Sequence, residues 1–114
     1  MTTIYKICDA SSWRAAVGAG QYRGSDVDRR DGFIHFSTAE QLAETATKHF
    51  ARQTELILIA VDGDALGAHL KWEISRGGDL FPHLYAALPL AAVLWSRPMP
   101  DEIDGLRHLP ELVP

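Results

Sequence analysis

At 114 residues, with 46% hydrophobic and 23% charged positions, the chain holds about one domain's worth of core and has the composition of neither a disordered segment nor a fibrous repeat. A net charge of −4 argues against sequence-independent binding to a nucleic-acid backbone, which needs a surplus of Lys and Arg on one face. The single cysteine, Cys8, excludes an internal disulfide and any four-cysteine zinc site and fits a reducing cytoplasm, and residues 1–8 are too short and too interrupted for a signal peptide or a membrane span.

In chain order, TTIYKICD at 2–9 sets Ile4, Lys6 and Cys8 against Tyr5 and Ile7 and predicts a strand with two differently used faces. SSWRAAVGAG predicts a short helix, capped by the hydroxyl of Ser11 or Ser12 and stopped in a left-handed turn at Gly18 or Gly20. Residues 21–31 are polar, and Gly24 is their one flexible point, so they predict a loop long enough to border a site. Within it Asp26, Asp28 and Asp31 cancel Arg29 and Arg30, the pattern of a solvated segment.

GFIHF predicts a buried strand. Beyond it Ala39, Leu42, Ala43, Ala46 and Phe50 recur on one face of a helix over 38–51. Ser37 with Glu40, or Thr38 with Gln41, supplies a capping box at its start, and Glu44 and Lys48 pair on the wet side. ELILIAVD at 55–62 is a near-continuous run of β-branched residues and leucine, the mark of a central strand buried on both faces. GDALG turns the chain, and AHLKWEIS predicts a strand with Leu70, Trp72 and Ile74 on an apolar face and Glu73 on the other. RGGD makes a turn, LFPHLYAALP an extended segment broken by Pro82, and LAAVLWSRP a last strand ended by Pro98. The core spans about 2–98, and a surface tail over 99–114 carries prolines at 100, 110 and 114. The predicted architecture is α+β: a single domain with two helices in the N-terminal half and a mixed, mainly antiparallel sheet.

Three polar groups stand out. His35 alternates against Ile34 and Phe36, so it faces away from the core they enter, at the start of a helix whose free N–H groups favour an anion; Ser37 and Thr38 lie within reach of the same anion. The plain alternative is a half-exposed strand histidine bonded to a carbonyl. Glu73 is a carboxylate placed to orient a hydroxyl or stabilise a cation, or else a solvent-facing strand residue. His83 and Tyr85 share a face with Phe81, as cleft walls or as a packing corner. The five histidines show neither H-x-H nor H-x-x-x-H spacing, so no metal site is expected, and Cys8 among apolar neighbours reads as an inert small hydrophobe.

The segments DGFIHFSTAEQLAETATKHFA, LKWE and RGGDLFPHLYAALPLAAVLW closely resemble the small bacterial family termed domain of unknown function 952, a resemblance that implies no particular reaction. FIHFST, the helix after it and ELILIAVD are similar, more distantly, to the ADP-ribosyltransferase fold and its RNA 2′-phosphotransferase branch. That resemblance implies NAD or an ADP-ribose-like nucleotide as ligand, with His35 and Ser37 in the nucleotide cleft. Where those transferases carry a histidine or arginine on the first strand, this chain has Tyr5 or Lys6. Glu73 is then the candidate to stabilise an oxocarbenium-like charge, alongside His35 as tentative catalytic group, and His83 and Tyr85 line the cleft. The branch's arginines for RNA phosphates have no counterpart here, so RNA repair is not expected. The other function class is a non-catalytic module that keeps the fold and binds a small anionic metabolite or a protein.

Overall fold

The computed structural model describes residues 2–100, 109, 110 and 112. The first strand, β1 (Thr3–Asp9), pairs antiparallel with β4 (Leu56–Asp62), which pairs antiparallel with β8 (Val93–Pro98), giving the order β1-β4-β8. As the run of large apolar residues predicts, β4 is central and buried on both faces. Leu56, Leu58 and Ala60 join Tyr5 and Ile7 under helix α3 (Ala39–His49), against Leu42 and Ala46. Ile59 and Val61 join Ile4 and Cys8 on the opposite face, against Trp13 and Ala16 of helix α1 (Ala10–Ala19).

The local signals account for most helix ends. Thr38 and Gln41 form the reciprocal capping box of α3, so Thr38, not Ser37, is the cap, and Glu44 pairs with Lys48 at 2.7 Å. Helix α1 stops at Gly20 with φ of +83°. Its cap, however, is Asp9, whose carboxylate accepts from Ser12 N. Asp9 ends β1 and caps the new helix two residues before Ser11 and three before Ser12, the two predicted serine caps. Residues 21–31 are not a loop. They hold the two-residue strand β2 (Gln21–Tyr22) and helix α2 (Asp26–Asp31), capped by Ser25 with Asp28 answering as the carboxylate of the box. Three α-helices are therefore present among the described residues where two were expected.

The remaining strands form two further small antiparallel sheets in place of the one sheet expected. The two-residue strand β3 (Ile34–His35) pairs with β6 (Leu80–Leu84), which pairs with β5 (Leu70–Ile74); β2 pairs with β7 (Leu88–Pro89). Pro82 does not break β6. It stays in register opposite Trp72 of β5, and its carbonyl accepts from Phe36 N at 3.0 Å just past the pairing of β3. The apolar face of β5 is only partly covered: Trp72 is 41% and Ile74 74% exposed, β5 being the edge strand of its sheet among the described residues. The core also extends past Pro98, since Met99 is buried and Leu109 and Leu112 pack beside it; the rest of the expected tail, 101–108, 111, 113 and 114, lies outside the described residues.

Replacing fully buried Leu58, in the middle of β4, by alanine should cost about 2–5 kcal/mol. Urea unfolding should show a lower midpoint with an unchanged slope.

Candidate functional site

The two three-stranded sheets meet at one point. Tyr5 N donates to Ser37 O at 2.8 Å and Ser37 N to Tyr5 O at 2.9 Å, so β1 is stitched to the chain just after β3 by a single antiparallel bridge. Beyond it the strands diverge, and a cavity of about 570 Å³ opens between them. Its walls come from the outer edge of β1, from α2, from the His35–Ser37 segment, from α3 and from the Phe81 and His83 face of β6.

Asp28 is the node of this region. Its carboxylate, 2% exposed, accepts from Lys6 Nζ at 3.0 and 2.8 Å, from Ser25 N at 2.8 Å, and from both the amide and the ring Nδ1 of His35 at 3.1 and 2.6 Å. Burial pushes the Asp28 carboxyl up, but the His35 hydrogen bond and the Lys6 charge and hydrogen bond outweigh it and hold the group well below the usual carboxylate range. Burial likewise pushes the Lys6 ammonium down, against the pull of Asp28. The backbone makes room for this carboxylate at Gly24, with φ of +99°, where an added Cβ would lie 2.7 Å from Asp28 Cβ.

His35 does face away from Ile34 and Phe36, which are buried. It is nevertheless neither free nor bonded to a carbonyl: Nδ1 donates to Asp28, and Nε2 lies 3.0 Å from the Asp31 carboxylate. Ser37 is buried, and its hydroxyl pairs with that of Thr45 at 2.9 Å on the cavity wall.

His83 enters from β6. Its Nδ1 donates to Glu73 Oε1 at 2.8 Å, and the Tyr85 hydroxyl donates to the same oxygen at 2.7 Å. These bonds, Tyr85 first, hold the Glu73 carboxyl below its ordinary value. The Phe33 ring stacks on the His83 imidazole at 4.1 Å and also touches His35 and Tyr85.

Of the expected site residues, Lys6, His35, Ser37 and His83 therefore converge on one cavity. Three do not line it. Thr38 spends its hydroxyl on the α3 cap, and Glu73 reaches the cavity only through His83. Tyr85 holds Glu73 and lines a separate shallow depression with Phe33 and Arg29 instead of offering a stacking face in the cleft. Cys8 is buried, with its thiol pushed up to about 12 chiefly by burial. Asp28 was hidden by the polar composition of 21–31; its signal was Ser25 three residues before it, the spacing of a capping box. No three His, Cys, Asp or Glu side chains among the described residues are grouped as metal ligands, and no helix is long and apolar enough to cross a membrane.

This fold is that of a family. The model of the family described as Protein of unknown function (DUF952) matches residues 7–96, and the chain belongs to that family. Among solved structures, the crystal structure of protein CC0527 from Caulobacter crescentus is 47% identical, with a TM-score of 0.90 and 94% of each chain covered. The solution structure of CC0527 is 48% identical, with a TM-score of 0.83 over 94% of this chain and 92% of that one. No curated protein matches the chain.

Replacing Asp28 by alanine leaves the Lys6 ammonium buried without its carboxylate and should cost about 3–5 kcal/mol, whereas Lys6→Met should cost less, because Asp28 keeps the Ser25 and His35 donors. Since the folded carboxyl sits below its unfolded value, its stabilisation is complete above about pH 4 and is lost as pH falls through the folded value. The urea midpoint of the wild type should fall with pH below that point, and the fall should be shallower in Asp28→Asn.

Proposed function

We propose that the protein binds a nucleotide of the NAD or ADP-ribose type in the cavity between the diverging strands. The observation that carries the reading is the Tyr5–Ser37 bridge with the cavity beyond it. By strand alternation Ile7 turns its backbone N–H and C=O to the side that Tyr5 presents to Ser37, so β1 offers the cavity an edge without a partner among the described residues, suited to a carboxamide or a base edge. Leu42, Phe50 and Phe81 supply apolar wall for a flat ring. Arg30 stands at the rim with an exposed guanidinium, held only at 3.3 Å from Asp31, where a pyrophosphate can meet it. The similarity of FIHFST and the elements around it to the ADP-ribosyltransferase fold supports the same ligand class.

A second reading, a binding module without turnover, has one observation in its favour. The Glu73 carboxylate stands outside the cavity and cannot itself touch a developing charge there.

Calorimetric titration with NAD and with ADP-ribose tests the ligand class. The expected result is binding by the wild type, weakened about tenfold in Arg30→Ala, which removes one charge-assisted contact from an exposed position, and lost in His35→Ala shown to be folded by circular dichroism. No heat from the wild type at millimolar ligand overturns the reading.

A further inference from the structure

His83 is built differently from the other polar groups of the cavity. Its side chain is 7% exposed, its ring is clamped by Phe33 at an interplanar angle of 26°, and its Nδ1 is committed to Glu73. Because a carboxylate only accepts, Nδ1 must carry the hydrogen, and in the neutral ring Nε2 then carries the lone pair. Among the described residues Nε2 has no protein partner, yet it is not one of the occluded polar atoms left without a bond, where only the Tyr22 hydroxyl is found. The nitrogen is therefore open, and the cavity is what the ring lines. His35, by contrast, has carboxylates at both nitrogens, and the Ser37 hydroxyl is taken by Thr45.

We propose that His83 is the general base of this cleft, oriented by Glu73, Tyr85 and Phe33, and that it activates water against the N-glycosidic bond of a bound ribosyl-pyridinium dinucleotide. This rests on the nucleotide reading above. The arrangement has the elements such a base needs: an oriented imidazole, a carboxylate fixing its tautomer, and an uncommitted nitrogen on a ring that lines the cavity. Tyr85 fixes the carboxylate in turn. In the step itself, Nε2 takes a proton from water, and the water oxygen bonds to the anomeric carbon as the carbon–nitrogen bond breaks. The bonding pair returns to the pyridine nitrogen, so nicotinamide leaves neutral and ADP-ribose remains. The proton then passes from His83 to solvent. Water and NAD thus give nicotinamide, ADP-ribose and a proton, with no oxidant or further reactant. Glu73 acts through His83 and is a positioning residue.

The experiment is nicotinamide release from NAD by the full chain, followed chromatographically beside calorimetry on the same samples. Expected is slow release by the wild type that falls at least a hundredfold in His83→Gln while NAD binding is kept. Glu73→Gln should lower kcat about tenfold or more with KM unchanged, and a folded His83→Gly should regain turnover with added imidazole. Should the His83 variants fail to fold, carbethoxylation of the wild type takes their place: ADP-ribose should protect His83, read by peptide mass, and modification of His83 should track loss of turnover. Binding without release overturns the base and leaves the nucleotide reading standing. Absence of binding overturns both. Release that survives in folded His83→Gln, or modification of His83 without loss of turnover, overturns the base alone.

Discussion

Five donors converge on the buried carboxylate of Asp28, if the two approaches of Lys6 are counted separately, and through them three separate pieces of chain are tied together. Lys6 comes from β1, Ser25 from the cap of α2, and His35 from β3. A buried ion pair is a poor source of net stability, because removing both charges from water offsets most of their attraction. Its value here is positional. An ammonium in the apolar face between Ile4 and Cys8 is tolerable only where a carboxylate meets it, so β1 and α2 are held in one relation, and the His35 amide and ring hold β3 in the same relation.

The cleft follows from that constraint. With β1 and β3 fixed at Asp28 and stitched once at Tyr5 and Ser37, the strands are held close at one end and kept apart beyond it, without a further strand to fill the gap. The edge of β1 that a larger sheet would cover is left facing a concave space. Polar side chains reach that space from opposite walls in two sets that differ in kind. The Lys6, Asp28 and His35 set is satisfied internally and maintains the shape, whereas His83 and its carboxylate leave one nitrogen unspent.

The elements whose identity depends on local or face-wide patterns were legible in the chain: β4 from its unbroken apolar run, α3 from the 3.6-residue spacing and the box at Thr38 and Gln41, and the outward turn of His35 from simple alternation. Other features depend on partners distant in sequence. Helix α2 has six residues, too few to show apolar periodicity, and Asp28 is a cap residue and a buried ion at once, so its acidic neighbourhood disguised it as solvated chain. In the sequence Glu73 reads as a residue of the site itself; only the register of β5 on β6, which places it opposite Phe81 and diagonal to His83, shows that it stands one residue removed. The split into separate sheets was invisible because the Tyr5–Ser37 bridge involves a residue outside any strand.

The order β1-β4-β8 also bears on how the chain acquires its shape during synthesis. The first strand has no ladder partner until Leu56–Asp62 has been made, and β4 stays open on its other edge until Val93–Pro98 follows. Pairings this far apart in sequence carry the loop-closure cost that makes such topologies slow to form. An emerging ribosomal product therefore holds Ile4, Tyr5 and Ile7 without the β4 side of their core until Leu56–Asp62 is made. The walls of the cavity are complete only once β6 has delivered His83. The β1 segment thus waits for a partner some way along the chain, and the interval before β4 arrives is when an early chaperone has most to shield.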